Sequence, residues 1–173
     1  MCDKIVFVFG SDFIISDIGQ IPNLSSNLKI GAKYIEEVFS ASILLEIYSY
    51  SSQGLINGPD FDISSKIVNL VFSYEKYDII PFIYGGLGKG IYTFKPQNDY
   101  NQEKIITVYS YGAGLKYKFF NCSFRKIGPS AKFIQQNNFN PNPIEPAVIY
   151  YFGGSYEIAL GVLFAIDLRG NWR

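Results

Sequence analysis

The chain has 173 residues, and its fifteen Lys and Arg balance its fifteen Asp and Glu, leaving a formal net charge of zero. Aromatics reach 17 % and charged residues only 17 %, against about 25 % charge in ordinary domains, and histidine is absent. A basic nucleic-acid binder, a disordered chain, a histidine-dependent hydrolase and a histidine-ligated metal site are thereby excluded, and two cysteines are too few for a disulfide framework or a zinc cluster.

The length fits one domain over residues 1–173. Ile, Tyr, Phe, Ser and Gly dominate and Ala is scarce, which favours strands over helices. The chain enters an apolar stretch after Asp3 with no basic run before it, so no signal peptide is visible and a mature form is expected.

Eight strands are predicted, near residues 4–15, 26–35, 39–51, 63–75, 79–94, 104–120, 122–134 and 155–168. The first carries mixed residues on both faces. The second sets Leu28, Ile30, Ala32 and Tyr34 against Asn27, Lys29, Gly31 and Lys33. The third sets Ala41, Ile43, Leu45 and Ile47 against Ser42, Leu44, Glu46 and Tyr48, and the fourth sets Val68, Leu70, Phe72 and Tyr74 against Asn69, Val71, Ser73 and Glu75. Pro81 opens the fifth, where its missing donor matters least. The sixth alternates most clearly, with Ile105, Thr107, Tyr109, Tyr111, Ala113, Leu115 and Tyr117 opposite Ser110, Gly112, Gly114, Lys116 and Lys118. Pro129 interrupts the seventh. The last sets Tyr156, Ile158, Leu160, Val162, Phe164 and Ile166 against Glu157, Ala159, Gly161 and Asp167, and residues 146–152 extend a hairpin arm above it. The stretch 146–166 has a single charge, Glu157, but Gly153-Gly154 and its β-branched content argue against a transmembrane helix.

Long polar connections fall at 16–25, 52–62, 95–103 and 135–145, and short ones near 36–38, 76–78 and 120–121. All long connections thus lie at one end of an antiparallel array, the layout of a transmembrane barrel. Charges share their parity with glycines, which suits a narrow lumen better than a soluble surface, since glycine weakens strands. A lumen charge network is therefore expected from Lys29, Lys33, Glu46, Glu75, Lys116, Lys118, Lys126, Lys132, Glu157 and Asp167. Ile30, Tyr34, Ile43, Leu45, Leu70, Phe72, Tyr74, Leu115, Tyr117, Leu160 and Phe164 are expected to face lipid, with tyrosines near strand ends as an aromatic girdle.

Pro81-Phe82-Ile83-Tyr84-Gly85-Gly86-Leu87-Gly88-Lys89-Gly90 resembles the Pro-Tyr-x-Gly-x-Gly-x-Gly strand of small OmpA/OmpX-like outer-membrane barrels. Leu45-Glu46-Ile47-Tyr48-Ser49-Tyr50 is similar to another strand of that family, with an inward acid and inward aromatics, and Tyr111-Gly112-Ala113-Gly114-Leu115-Lys116-Tyr117 to a third. The resemblance covers Leu28 to about Lys132. It implies an all-β, eight-stranded, antiparallel up-and-down transmembrane barrel in a bacterial outer membrane. Members of the family usually end on an aromatic residue; here Trp172 is followed by Arg173.

Buried charges must pair, so the lumen is expected to be a salt-bridged plug rather than a pore, an eight-stranded barrel having little bore. No base stands out to activate Ser49, Ser51 or Ser110, so neither an enzyme nor a cofactor is expected. Lys89 is followed by Gly90 rather than Ser or Thr, which removes the phosphate-loop reading. Asp60, Asp62 and Asp99 lack the order of a calcium loop and read as solvated charge. Phe61, Tyr100 and Phe139 are candidate contacts for another envelope or host protein. Cys2 and Cys122 are placed at the short-turn end. The expected role is structural, adhesive or that of a complex subunit, in contact with outer-membrane lipid and not with nucleic acid. The alternative is a soluble calycin or lipocalin-like barrel with an apolar ligand inside.

Overall fold

A computed structural model describes residues 4–18, 21–52, 60–96, 100–135 and 148–167. The strands are β1 (Lys4–Ile18), β2 (Ile21–Glu36), β3 (Phe39–Ser52), β4 (Asp60–Tyr74), β5 (Ile79–Lys95), β6 (Gln102–Tyr117), β7 (Phe120–Gly128), β8 (Ser130–Gln135), β9 (Val148–Gly153) and β10 (Tyr156–Asp167). Eight close into an antiparallel barrel in the order β1-β10-β7-β6-β5-β4-β3-β2, while β8 and β9 form a separate two-stranded hairpin. The chain is all-β, as the alternation implies.

Two differences from the sequence reading concern strand ends. The polar stretch 16–25 is mostly ladder, since β1 and β2 stay paired up to Ile18↔Ile21. Serine and asparagine there are the upper part of two strands whose main-chain groups bond each other, not a loop. The predicted strand 122–134 is two strands divided at the cis Gly128–Pro129 peptide. Its lower half, β7, pairs with β6 and β10 in the wall, and its upper half, β8, pairs only with β9.

Alternation decides which side chains go where. Outward stand Ile43, Leu70, Phe72, Ile83, Leu87 and Leu115, all exposed, with Phe39, Tyr74 and Tyr77 clustered at the turn end at centroid distances of 5.1 and 5.8 Å. Phe9, Phe164 and Phe119 stack in a row on the same outer surface, 5.4 and 5.7 Å apart. Inward stand three layers. Near the turn end Val6, Val8 and Leu44 are buried together. In the middle lie Asp12, Asn27, Glu46, Asn69, Arg125 and Glu157, all buried. Towards the loop end Tyr50, Phe61, Ile63, Tyr92, Phe94 and Phe133 form an apolar cluster. A greasy exterior around a charged middle layer is the reverse of the soluble, apolar-ligand alternative.

Such a narrow barrel bends its strands tightly. A Cβ added at inward Gly31 would strike the Ile43 carbonyl, and one at inward Gly88 the Lys66 carbonyl. These positions need glycine because the neighbouring backbone occupies the space of a side chain.

Candidate functional site

The middle layer is built from six strands, β1, β2, β3, β4, β6 and β10, around Arg125 of β7. Its Nε donates to Glu157 Oε2 of β10 at 2.5 Å, and its Nη1 donates to Glu46 Oε1 of β3. Side chains of all three are about 1 % exposed. Glu46 also accepts from Asn27 Nδ2 at 2.5 Å and from Asn69 Nδ2 at 2.9 Å. Ser110 Oγ donates to Asn69 Oδ1 at 2.5 Å, and Ser155 Oγ to Glu157 Oε1 at 3.0 Å. Asp12 takes a salt bridge from Lys29 and an amide proton from Asn27 Nδ2 at 3.3 Å. Charge-assisted bonds of this kind are the strong ones, and in a dry layer each removes the cost of an unpaired ion.

At the turn end Lys33 and Ser40 both donate to Glu75 Oε1, the serine at 2.7 Å. Burial pushes the Glu75 pKa up most strongly of any single effect, but the Lys33 charge and hydrogen bond, the Ser40 hydrogen bond and the Lys116 charge together outweigh it, so the carboxyl sits below its ordinary value. Lys4 pairs with Asp167 at 2.6 Å. Between this floor and the middle layer is a cavity of ≈ 50 Å³ lined by Lys29, Lys33, Glu46, Tyr84, Lys116 and Asn121, among others. Its size suits a few waters and its lysine lining does not suit an apolar ligand.

At the loop end Phe133 of β8 stacks on Phe94 at 5.4 Å and Tyr150 of β9 lies 5.1 Å from it. The hairpin is tied to β6 by side chains: Gln102 Nε2 donates to the Ile134 carbonyl at 2.8 Å and Lys104 to that of Lys132. On the rim Asp62 is bound by Lys95 and by Ser51, both at about the same short range, and these hydrogen bonds hold its carboxyl below the usual range. Among the described residues no group of three or more Cys, Asp or Glu side chains is placed to hold a metal ion.

The sequence-derived positions divide as follows. Lys29, Lys33, Glu46, Glu75, Lys116, Glu157 and Asp167 all lie on the inner side or its floor. Lys118, Lys126 and Lys132 do not. Lys118 is the turn residue between β6 and β7, exposed with φ 54°, its ammonium 5.4 Å from the Tyr117 ring centre. Lys126 is on the outer parity of β7, 4.0 Å from the Tyr156 ring centre and bonded to the Gly154 carbonyl. Lys132 is exposed on β8. Lys126 and Lys132 share the outward parity of Cys122 and Phe124, and the inward cation is Arg125. Asp12, Asn27 and Asn69 were missed with it. The alternation Cys122, Phe124 against Ser123, Arg125 carries the signal for Arg125.

Ile30, Tyr34, Ile43, Leu70, Phe72, Leu115, Tyr117 and Leu160 are exposed on the outer surface, and Leu45, Tyr74 and Phe164 share that parity but are half-covered by neighbours. Phe61 is not a loop residue: β4 begins at Asp60, and Phe61 falls on the inward parity, 1 % exposed between Tyr50 and Tyr92. Tyr100 is 90 % exposed between β5 and β6. Phe139 and Cys2 lie outside the described residues. Cys122 is a free thiol exposed on the outer face of β7, not in the turn.

No protein-family model matches the chain, and no curated protein matches it. Solved structures do. Neisserial surface protein A is 8 % identical, with 97 % of this chain and 100 % of that one covered at a TM-score of 0.55. Ail, the attachment invasion locus protein of Yersinia pestis, solved with the heparin analogue sucrose octasulfate, is 13 % identical, with 95 % and 100 % covered at 0.52. The fold is that of the small eight-stranded outer-membrane barrels. At these identities the likeness is one of fold.

Proposed function

We propose that the chain is a non-enzymatic outer-membrane barrel whose interior is closed by the Arg125 layer and whose loop end makes its contacts, in an adhesive, structural or subunit role. The observation that carries this reading is the inverted polarity: isoleucine, leucine, phenylalanine and tyrosine cover the outside while the ions are paired inside. In water that arrangement exposes a continuous apolar surface, a liability for a soluble protein; in a bilayer it satisfies every strand, since closure leaves no unpaired edge within the apolar band. The buried aromatic cluster at the loop end and the buried, paired ions below it support a plug rather than a pore. Ail's sulfated ligand belongs to that protein. The described rim here mixes Asp60, Asp62 and Glu103 with Lys95 and Lys104, which favours a protein surface over a polyanion.

The test is gel mobility with and without boiling, on protein folded into detergent. The proposed barrel stays compact in SDS until heated, and so migrates differently before and after boiling. Protein that is folded and soluble without detergent and shows no shift overturns the reading.

A further inference from the structure

On β4 the outward side chains are apolar from Phe72 through Val68 and then become Lys66 and Ser64, while on β5 Lys89 interrupts an apolar run between Leu87 and Ile91. Lys66 and Lys89 are direct cross-strand partners, both exposed and both outward. Like charges placed directly opposite destabilise a sheet, and among the described residues no carboxylate forms an ion pair with either; the nearest outward acid on β4, Asp62, is held by Lys95 and Ser51. Hydroxyls and isoleucines flank the pair on the same face: Ile47 is opposite Lys66, and Ile91 follows Lys89 on its parity. Ser64 precedes Lys66 on its parity, Ser49 is opposite Ser64, and Thr107 is opposite Lys89. One step towards the turn end, Val68 and Leu87 are again apolar and exposed.

Height gives this cluster its meaning. From Tyr74 at the turn end, β4 climbs roughly 20 Å to Lys66 at a tilt of about 40°. That is close to the thickness of the apolar band of such a barrel, about 25 Å. Two ammoniums with hydroxyls beside them therefore sit one outward step below the loop-side limit of the apolar wall, which exposed Ile91 and Ile105 mark on β5 and β6, and their long stems can snorkel to the headgroup level.

We propose that Lys66 and Lys89, with Ser49, Ser64 and Thr107, bind the phosphate of a lipid in the leaflet at the loop end, its chains lying along Val68 and Leu87. The phosphate supplies the negative charge that the cross-strand lysine pair lacks among the described residues. The inference rests on the membrane reading above, and the boiling shift tests that reading separately.

The experiment compares the wild-type protein with the Lys66→Gln/Lys89→Gln variant, both first checked for the boiling shift, in phosphatidylcholine bicelles doped with phosphatidic acid. Lipids that remain bound are counted by native mass spectrometry. The wild type should retain phosphatidic acid over phosphatidylcholine by about 30-fold, from two lysines near a charged surface, and the double variant should lose most of that preference. Equal preference in both proteins overturns the site. Retention of inorganic phosphate by the wild type in neutral bicelles, without any lipid preference, overturns the lipid assignment. A Lys66→Arg/Lys89→Arg variant that keeps the preference supports a charge-based site.

Discussion

Arg125 and Glu46 are 79 positions apart in the chain, and they meet by a direct ion pair in the buried centre of the barrel. The pair can form only when β3 and β7, which are not neighbours in the wall, face each other across the closed lumen. It is therefore a report on closure itself.

Arg125→Met leaves Glu46 and Glu157 buried without their cation. Breaking a buried pair in this way costs about 3–5 kcal/mol, so the urea midpoint of the vesicle-folded barrel should fall accordingly. Adding Glu46→Gln and Glu157→Gln in the same chain should recover most of the loss, because no charge is then left unpaired. An Arg125→Met midpoint equal to that of the wild type would remove the layer from the account of stability.

Two glycines of β5 separate space from propensity. A Cβ at outward Gly85 meets nothing nearer than the Ser110 carbonyl at 3.9 Å, whereas one at Gly88 runs into the Lys66 carbonyl. Gly85→Ala should fold as the wild type does. Gly88→Ala should lose about 1–3 kcal/mol through forced backbone shifts, read as a lower urea midpoint. Equal behaviour of the two variants contradicts the close approach.

Glu75 makes the turn end sensitive to acid. Its folded pKa lies below its ordinary value, because Lys33, Ser40 and Lys116 together overcome the effect of burial. A depressed carboxylate contributes stability fully above the unfolded pKa, about 4.3, and that contribution is lost as pH falls through the lower folded value. Unfolding midpoints measured between neutral pH and pH 3 should drop in the wild type. Lys33→Met should be less stable at neutral pH and flatter in that range. A variant with the same acid slope would assign the slope to another carboxylate.

The β8–β9 hairpin is held by Phe133 against Phe94 and by two side-chain bonds from β6. Phe133→Ala should loosen it without opening the barrel. Trypsin cleavage after exposed Lys132 should accelerate severalfold while the boiling shift persists. Simultaneous loss of the shift would mean that hairpin and wall unfold as one unit.

The strand parities were plain in the sequence wherever charges and glycines alternated with branched or aromatic residues. Leu28 to Tyr34 and Ile105 to Tyr117 show this, and the structure places their polar members inward. The middle layer was legible only in part. Asp12 sits in a strand whose outward face includes Ser11 and whose inward face includes Val6, Val8 and Ile14, so polarity does not mark its direction. Arg125 is hidden because β7 and β8 carry cations on both parities, Arg125 on one and Lys126 and Lys132 on the other, so charge alone does not mark the inward face. Phe61 was read as a loop residue because acids flank it; the ladder with Ser52 and Phe94 extends the strand past them.

The departure of β8 from the wall has a mechanical side. Ladder pairing between β6 and β7 ends at Tyr109↔Gly128, and that between β1 and β10 ends at Ser16↔Glu157. Below those two points the staves are bound by an unbroken hoop of main-chain bonds around the Arg125 layer. Above them the hoop is cut on both sides of the hairpin, and only side chains and packing hold that arm to its neighbours. A pull on the segment that joins β8 to β9 thus meets the hairpin's side-chain contacts first and reaches the ring only through the two backbone junctions to β7 and β10.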